Sequence, residues 1–348
     1  MKVVSFLLHG CPVSFLGAYG NEWVGTPNLD RLAAEGVVFD AHFAAEPGLR
    51  PGPLPGHSAL IRAGRPENDA PPAYYAGWGR VVDARPGPNN ISPLDALTRS
   101  LPAVLATLAN DPDWHLGIEL DTLLPPWHVP QHVFEVYVEE LIEDGEAAGV
   151  EPWADPPCGW FDEDDQASWE LLHRSFAAAM TVFDVKLGPV FDLLRARGLD
   201  RDAHWLFTTA AGFPLGEHGV IGYHRPWLHE ELVHLPLIVR YPNGEHAGRR
   251  GSGFTQPEDL HDLSKLLTTT RDHVITRHSL HGSSEISIRT AEWTYLHPMT
   301  TAEDDDERRP KLFARPDDRW EVNDLAARTP EVVEELANRL QSLAGGNS

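Results

Sequence analysis

Four histidines are the most chemically capable side chains of this sequence: His9, His57, His218 and His224. Imidazole is a good ligand for zinc and related transition metals, so a histidine-based metal site is one interpretation. The other interpretation is a set of hydrogen-bonded, half-buried histidines. We favour the second, because a metal site needs a carboxylate, a thiolate or a third histidine in a defined geometry. Glu46 and Glu217 are the carboxylates that could complete such a site.

A thiol and a hydroxyl stand close to these histidines and could act as nucleophiles. Cys11 lies two residues after His9, and a thiolate paired with His9 or His57 is one interpretation. A free cysteine is commonly a small buried hydrophobe, and we favour that role for Cys11. Ser58 beside His57 suggests a serine hydrolase. Sequence neighbours rarely form a nucleophile–base pair, however, and the chain has no Gly-x-Ser-x-Gly elbow.

Hydrophobic patterning predicts the elements that position these residues. Val3–Leu8 is almost continuously apolar, which is typical of a strand covered on both faces. His204–Thr209 predicts a buried strand that breaks into a Gly-containing loop, the place where open α/β sheets bind their ligands. Residues 167–197 repeat apolar side chains at steps of three and four, which predicts a long amphipathic helix. The alternation of strands and helices indicates an α/β fold with a mostly parallel sheet sandwiched by helices.

Shorter signals predict the remaining elements. Thr26 is expected to cap a helix that Gly36 ends. The Pro- and Gly-rich stretch 47–64 is expected to be a constrained loop, and 121–166 to be rich in loops. Further helices are predicted at 93–110, 260–267 and 330–343, and further strands at 37–43, 114–120, 235–241, 285–289 and 293–297.

Composition and length indicate an acidic globular protein. The 348 residues carry 28 Lys plus Arg against 52 Asp plus Glu, a formal net charge of −24, which argues against nucleic acid and anionic membranes as partners. Two cysteines are too few for a disulfide framework. No segment approaches the roughly 20 apolar residues that span a bilayer. The short apolar run at the N-terminus lacks a cleavage site, so we expect a cytoplasmic protein.

The length accommodates one major domain and an appendage. We expect an α/β core domain over residues 1–248 and a C-terminal subdomain over 249–348, made of a small antiparallel sheet and a closing helix. A small molecule, another protein and a second copy of the chain all stay open as partners.

Several segments, in the right order along the chain, resemble the sulfatase branch of the alkaline phosphatase superfamily. The Leu-Gly-Glu-His-Gly tail of the family's strand-end signature is intact at Leu215–Gly219. Other segments in family order are Leu16–Gly20, Thr26–Ala33, Phe183-Asp184, Glu230–Leu232, Ser287–Thr290 and Glu321–Ala326. The resemblance covers nearly the whole chain and implies an alkaline-phosphatase-like fold.

The resemblance also implies that the family's metal ligands are absent here. Sulfatases hold calcium or magnesium with paired aspartates at the end of the first strand, and with an Asp and a His or Asn after a later strand. The matching positions in this sequence are His9, Gly10, Ala210 and Ala211. Hard cations prefer anionic oxygen ligands, and none of these side chains offers one. We therefore expect no bound cofactor, with a histidine-bound transition metal as the alternative.

The family's nucleophile and its cationic partner are missing at the matching positions too. Sulfatases carry a Cys or Ser, converted to formylglycine, in Cys/Ser-x-Pro-Ser-Arg. Counting back from Gly64 places Leu54 at the nucleophile and Ser58 at the arginine. The Lys-His pair that contacts sulfate in the family is Tyr223-His224 here. Without these groups and the metal, electrostatic stabilisation of an anionic transition state is lost.

These substitutions predict a sulfatase-like protein without its hydrolytic apparatus, acting in binding or as a scaffold. The residues expected to line the former pocket are His9, Cys11, His57, Glu217, His218 and His224. The alternative is a sulfuric or phosphoric ester hydrolase with a remodelled, histidine-based metal site. Loop tryptophans could bind a sugar or a protein, or fill a small core beneath the loops, which we favour slightly. They include Trp78, Trp127, Trp153, Trp160 and Trp169.

Overall fold

The structure, a computed structural model, describes residues 1–65, 68–84, 92–143, 149–269, 271–300 and 309–345. Its strands are β1 (Lys2–Leu8), β2 (Val37–Phe39), β3 (His57–Arg62), β4 (Arg80–Asp83), β5 (Trp114–Leu120), β6 (Gly159–Trp160), β7 (His204–Thr209), β8 (Val220–Ile221), β9 (Leu237–Arg240), β10 (Arg249–Gly251), β11 (His273–Leu280), β12 (Ser283–Thr290), β13 (Trp293–Thr300) and β14 (Lys311–Ala314). Its helices are α1 (Pro27–Glu35), α2 (Pro72–Ala76), α3 (Pro93–Leu108), α4 (Gln131–Glu143), α5 (Gln166–Ala196), α6 (Leu199–Asp202), α7 (Glu230–Val233) and α8 (Pro330–Gly345). None of the described helices is long and apolar enough to cross a membrane.

The large sheet has eight strands in the order β10-β2-β9-β7-β1-β5-β3-β4. Its central strand β1 pairs in parallel with β5 and β7, so that Leu8 stands level with Leu120 and Thr209. Only β9 runs antiparallel to its neighbours in this sheet. The predicted mostly parallel sheet is therefore confirmed. The backbone that follows Leu8, Leu120 and Thr209 meets at one side of the sheet, called the carboxyl edge below.

The long helix α5 packs one face of this sheet. The ring of Phe191 meets Phe6 of β1 edge to face at 5.4 Å and stacks on Trp205 of β7 at 5.6 Å between centroids. These three side chains belong to the largest apolar cluster of the described residues. On the opposite face, Leu54 and Leu260 belong to a second apolar cluster. Burial from both sides explains why the central strands are almost wholly apolar.

Helix α5 also caps the start of α1, which corrects the role expected for Thr26. The Thr26 side chain makes no capping hydrogen bond. Instead, the fully buried carboxylate of Asp184 accepts from the backbone N–H groups of Asn28 (3.0 Å) and Leu29 (2.8 Å). Free N–H groups at a helix start need such an acceptor. The capping acceptor is therefore Asp184, 155 residues away from Leu29, and not Thr26 as the sequence predicted.

Two stretches predicted as loops contain regular structure. Residues 57–62 form β3, which pairs with β4 and β5, because Ala59, Leu60 and Ile61 are buried in the sheet. The prediction of a loop through 47–64 is wrong there. Residues 131–143 form α4, which packs on α5 and contradicts the prediction of a loop-rich stretch. The short helix expected at 260–267 is replaced by two 3-10 helices, Pro257–His261 and Leu266–Thr268.

A second, antiparallel sheet follows in the order β11-β12-β13-β14. It confirms the predicted C-terminal antiparallel sheet, and it is larger than the two strands expected from the sequence. Leu336 and Leu340 of the closing helix α8 share an apolar cluster with Ile286 and Ile288 of β12. The strand 249–251 belongs to the large sheet, so the division at residue 249 stays a prediction.

Candidate functional site at the carboxyl edge

The carboxyl edge brings together the positions that the family resemblance assigns to metal ligands. The N–H of Gly10 donates to the carbonyl of Ala211 at 3.1 Å, and that of Ala210 donates to the carbonyl of Leu8 at 2.8 Å. Ala210 and Ala211 are buried. Gly10 has a φ of +78°, and a Cβ there would lie 2.7 Å from Leu124. An aspartate at position 10 would therefore be strained by its backbone angle and would have to displace the Leu124 side chain.

The fourth position, His9, is part of a buried polar cluster. Its Nε2 lies 3.0 Å from Oε1 of Glu119, and Nε of Arg50 donates to the same oxygen at 2.5 Å. Arg50 also donates to the carbonyl of Asn68 at 2.6 Å. Burial favours the neutral form of Glu119, but the hydrogen bond from His9 and the charges of His9 and Arg50 lower the pKa of this carboxyl below its usual value. The carboxylate is therefore held as an anion by its own chain.

A second buried carboxylate lies beside this cluster. Asp121 accepts from the backbone N–H of Arg65 at 2.8 Å and from its Nε at 3.2 Å. It also accepts from Nδ2 of Asn68 at 2.5 Å. Arg65 is held further by the carbonyls of Leu124 and Pro125. Two carboxylates and two guanidinium groups thus neutralise each other along the carboxyl edge. We call Arg50, Arg65, Glu119 and Asp121 the ion-pair cluster.

These residues do not fit the calcium or magnesium ion that the fold family implies. Such ions need six to eight oxygen ligands for calcium, and an octahedral set for magnesium. In the ion-pair cluster, Oε1 of Glu119 and Oδ2 of Asp121 are already engaged by guanidinium and amide groups. Oε2 of Glu119 is buried without a hydrogen-bond partner, but one such oxygen falls far short of the required set. Across the described ranges, no group of three or more His, Cys, Asp or Glu side chains could hold a metal ion. All four histidines considered in the sequence analysis lie within these ranges.

The positions matched to the family's nucleophile lie away from the carboxyl edge. His57 begins β3 level with the first residue of β5, at the opposite side of the sheet, and its Nδ1 lies 2.6 Å from Asp111. Ser58 accepts from the N–H of Gly79 at 3.0 Å. Leu54 is buried in the apolar cluster on the sheet face. The structure therefore does not bring His57 to the carboxyl edge.

Of the remaining candidates near β1 and β8, Tyr223 lies close enough to Cys11, Arg50 and the backbone of Gly10 for these groups to act on its hydroxyl. Cys11 is completely buried, and burial raises the pKa of its thiol, which disfavours the nucleophilic thiolate. The hydroxyl of Tyr223 donates to the carbonyl of Gly212 at 2.8 Å. The ring of His224 lies 5.8 Å from that of Trp160. These contacts do not join the three side chains into one reactive group.

Glu217 and His218 take part in contacts between the core and the C-terminal segment. Nδ1 of His218 lies 2.8 Å from a carboxylate oxygen of Glu231, and its Nε2 lies 3.2 Å from the carbonyl of Glu321. The ring stacks on that of His229 at 3.8 Å, and His229 in turn lies 2.8 Å from the carboxylate of Glu321. Glu217 accepts a backbone N–H of its own loop at 2.6 Å. The intact Leu-Gly-Glu-His-Gly segment therefore has a structural task here.

The loop tryptophans divide between the two interpretations. Trp78 and Trp127 are buried, as a small core beneath the loops requires. Trp160 is 58% exposed. Trp153 contacts the main apolar cluster from its edge, and the ring of Trp169 lies 3.9 Å from that of His173, tilted by 31°.

Sequence reasoning missed the ion-pair cluster. A signal existed for Glu119, because it is an acidic residue within the mostly apolar stretch Trp114–Leu120, and a buried charge needs a partner. Asp121 follows directly on that strand. The partner Arg50 lies 69 residues from Glu119, and no local pattern connects the two.

Comparison with known proteins shows which sequences and folds the chain resembles. No protein-family model matches the chain. It is 24% identical over 305 residues to a sulfatase of Formosa agariphila, a match that covers 63% of this chain and 60% of the relative. It is 26% identical over 156 residues to the N-acetylglucosamine-6-O-sulfatase of Bacteroides thetaiotaomicron, covering 44% of this chain and 28% of the relative. The matches thus span less than two thirds of either relative.

Among solved structures, the chain is similar to the phosphonate monoester hydrolase of Agrobacterium radiobacter. The TM-score is 0.70 at 16% identity, and the likeness covers 99% of this chain and 95% of the other. The fold is accordingly the alkaline-phosphatase-like α/β fold. The chain is thus similar in sequence to parts of two sulfatases, and similar in fold to a phosphonate monoester hydrolase.

Proposed function

We propose that this sulfatase-like chain is non-catalytic and acts as a binding or scaffold protein. The observation that carries the proposal is the make-up of the carboxyl edge. The family's metal positions hold His9, Gly10, Ala210 and Ala211. The carboxylates nearby are bonded to guanidinium groups of the same chain. A buried carboxylate requires a compensating cation, and here arginine provides it.

The chemistry of ester hydrolysis supports the same proposal. Cleavage of a sulfate or phosphate ester in this family's manner needs a metal ion and a nucleophile. It also needs cationic groups that stabilise the developing charge. Leu54 has no heteroatom, and Tyr223 replaces the family's lysine with a neutral hydroxyl. Pairing with Glu119 and Asp121 leaves little of the Arg50 and Arg65 charge for an anionic ester.

A turnover screen tests the proposal against its alternative, a hydrolase with a histidine-based metal site. The substrates are an aryl sulfate, N-acetylglucosamine 6-sulfate and a phosphonate monoester, chosen from the relatives. Each is incubated with calcium, magnesium, manganese or zinc. We expect no hydrolysis above background.

Metal-dependent turnover that falls in His9→Ala would overturn the proposal. The matched control is His57→Ala, at the opposite side of the sheet. A change that both variants share would indicate general loss of structure. A loss confined to His9→Ala would place the reaction at the carboxyl edge.

A further inference from the structure

A surface groove collects three tryptophans from distant parts of the chain. Trp23 lies in the loop before α1, Trp169 in the first turn of α5, and Trp320 in the segment before α8. The groove has a volume of about 580 Å³, within the range of roughly 300–1,000 Å³ for small-molecule sites. Trp23 and Trp320 are 48% and 49% exposed. Exposed apolar side chains that converge on one concave surface indicate a binding site.

The charges of the groove select the class of ligand. Its acidic side chains are Glu163, Glu217 and Glu231, and no lysine or arginine is found among the described residues that line it. Glu231 is balanced by His218 at 2.8 Å. Glu163 and Glu217 have no ion-pair partner in the described part of the chain. A groove with this charge repels sulfate and phosphate esters and attracts cations.

The indole rings suit a cation as well. The negative face of an indole attracts ammonium and guanidinium groups, most strongly where water is excluded. The guanidinium of Arg319 lies over the Trp320 ring at 4.3 Å and covers one of its faces, so a ligand cation would have to use the other face. One ring face of Trp169 is covered by His173. The net charge of −24 adds a general attraction for cations.

We propose that this groove binds a small organic cation, a protonated or quaternary ammonium group carried on an apolar body. Its lining residues include none of the ion-pair cluster at the carboxyl edge. The inference is therefore independent of the proposed loss of catalysis. It also separates this chain from a sulfated-sugar binder, because no lysine or arginine is among the described lining residues and the imidazole of His218 is paired with Glu231.

Isothermal titration with choline tests the inference, with 3,3-dimethylbutan-1-ol as the neutral molecule of the same shape. The assay is run at pH 8, because burial and the charge of Glu231 raise the pKa of Glu217 to about 7. We expect saturable binding of one choline per chain, and binding of the neutral alcohol at least about tenfold weaker. Equal affinity for the two molecules, or no saturable binding of choline, would overturn the inference.

Three variants locate the site. Trp320→Ala should weaken choline binding about three- to thirtyfold through loss of an indole face. Glu163→Gln, a change at an exposed side chain, should weaken it about twofold or more through loss of charge. The control is Trp160→Ala, which removes an exposed indole outside the groove and should leave the affinity unchanged. Equal losses in Trp160→Ala and Trp320→Ala would contradict the assignment.

Discussion

Replacing either member of the Glu119–Arg50 ion pair should lower the free energy of unfolding strongly. Replacing both should lower it by less than the sum of the two single changes. The two side chains are 7% and 15% exposed. Glu119→Gln leaves a guanidinium without its counter-charge, and Arg50→Met leaves the carboxylate with His9 alone. Removing one partner of a buried pair costs about 3–5 kcal/mol.

We expect about 3 kcal/mol for each single change, because the partial exposure of Arg50 lets water relieve part of the loss. The double variant should lose about 3–4 kcal/mol, well below the additive value of about 6 kcal/mol, since neither charge is then left alone. The assay is urea unfolding at pH 7, followed by circular dichroism. The control is Arg31→Met, which removes an exposed guanidinium from Glu35; because Glu35 keeps Arg195 and Arg240 as partners, this change should cost less than about 1 kcal/mol.

The difference in unfolding free energy between wild type and Glu119→Gln should depend on pH in one direction. The pKa of Glu119 is lowered in the folded protein from an ordinary value of 4.5. The carboxylate therefore stabilises the fold fully above about pH 4.5, and its contribution disappears as the pH falls through the lowered value. Wild type should exceed Glu119→Gln by the full amount at pH 7 and by less in acid. Additive single losses, or a difference that grows in acid, would refute the reasoning.

Three further changes test the contacts around the site. Burial lowers the pKa of His218, but the Glu231 carboxylate and the contacts to Glu321 raise it to about 9, so the protonated ring stabilises the fold below its ordinary pKa of 6.5. The stability advantage of wild type over His218→Gln should therefore shrink as the pH rises from 6.5 through 9 in urea titrations, and a constant difference would contradict this pairing. Gly10 and Gly20 both have a positive φ, so an alanine is strained by about 1 kcal/mol at either position. Gly10→Ala should cost about 2 kcal/mol because its new Cβ also meets Leu124, whereas Gly20→Ala has open space around its Cβ and should cost about 1 kcal/mol. Equal melting temperatures for these two variants would disprove the close approach at position 10. Asp184→Ala should lower the unfolding free energy by about 2–3 kcal/mol, because the N–H groups at the start of α1 lose their acceptor. Thr26→Val should lower it by less than about 1 kcal/mol. A larger loss in Thr26→Val than in Asp184→Ala would show that Thr26 is the cap.

The central elements of the fold could be predicted from local pattern. The strands at 114–120 and 204–209 lie where the sequence placed them, because a parallel strand buried on both faces is apolar along its length. The apolar residues at steps of three and four likewise predict the long helix α5. Failures came where composition hid the element. Pro and Gly around β3 obscured a short buried strand, and the acidic surroundings of α4 obscured a helix.

At the candidate site, the sequence alone predicted only the loss of the family's metal-ligand side chains. Residue identity alone indicated that alanine and glycine stand where the family has ligands. The contacts that replace those ligands could not be foreseen, because Arg50 and Glu119 meet only through the folded path of the loop after β2. His57 was misplaced for a related reason. The Pro- and Gly-rich composition of 47–64 predicts a constrained loop, whereas an extended strand carries His57 to the far side of the sheet.

Calcium titration of metal-stripped protein tests the central claim most directly. The claim is that an arginine–carboxylate cluster occupies the carboxyl edge in place of a metal site. We expect no saturable heat up to millimolar calcium, and the same unfolding midpoint with and without the ion, because a ligand that binds the folded state would raise the midpoint. Stoichiometric calcium binding that stabilises the protein and is abolished in Glu119→Gln would contradict the account.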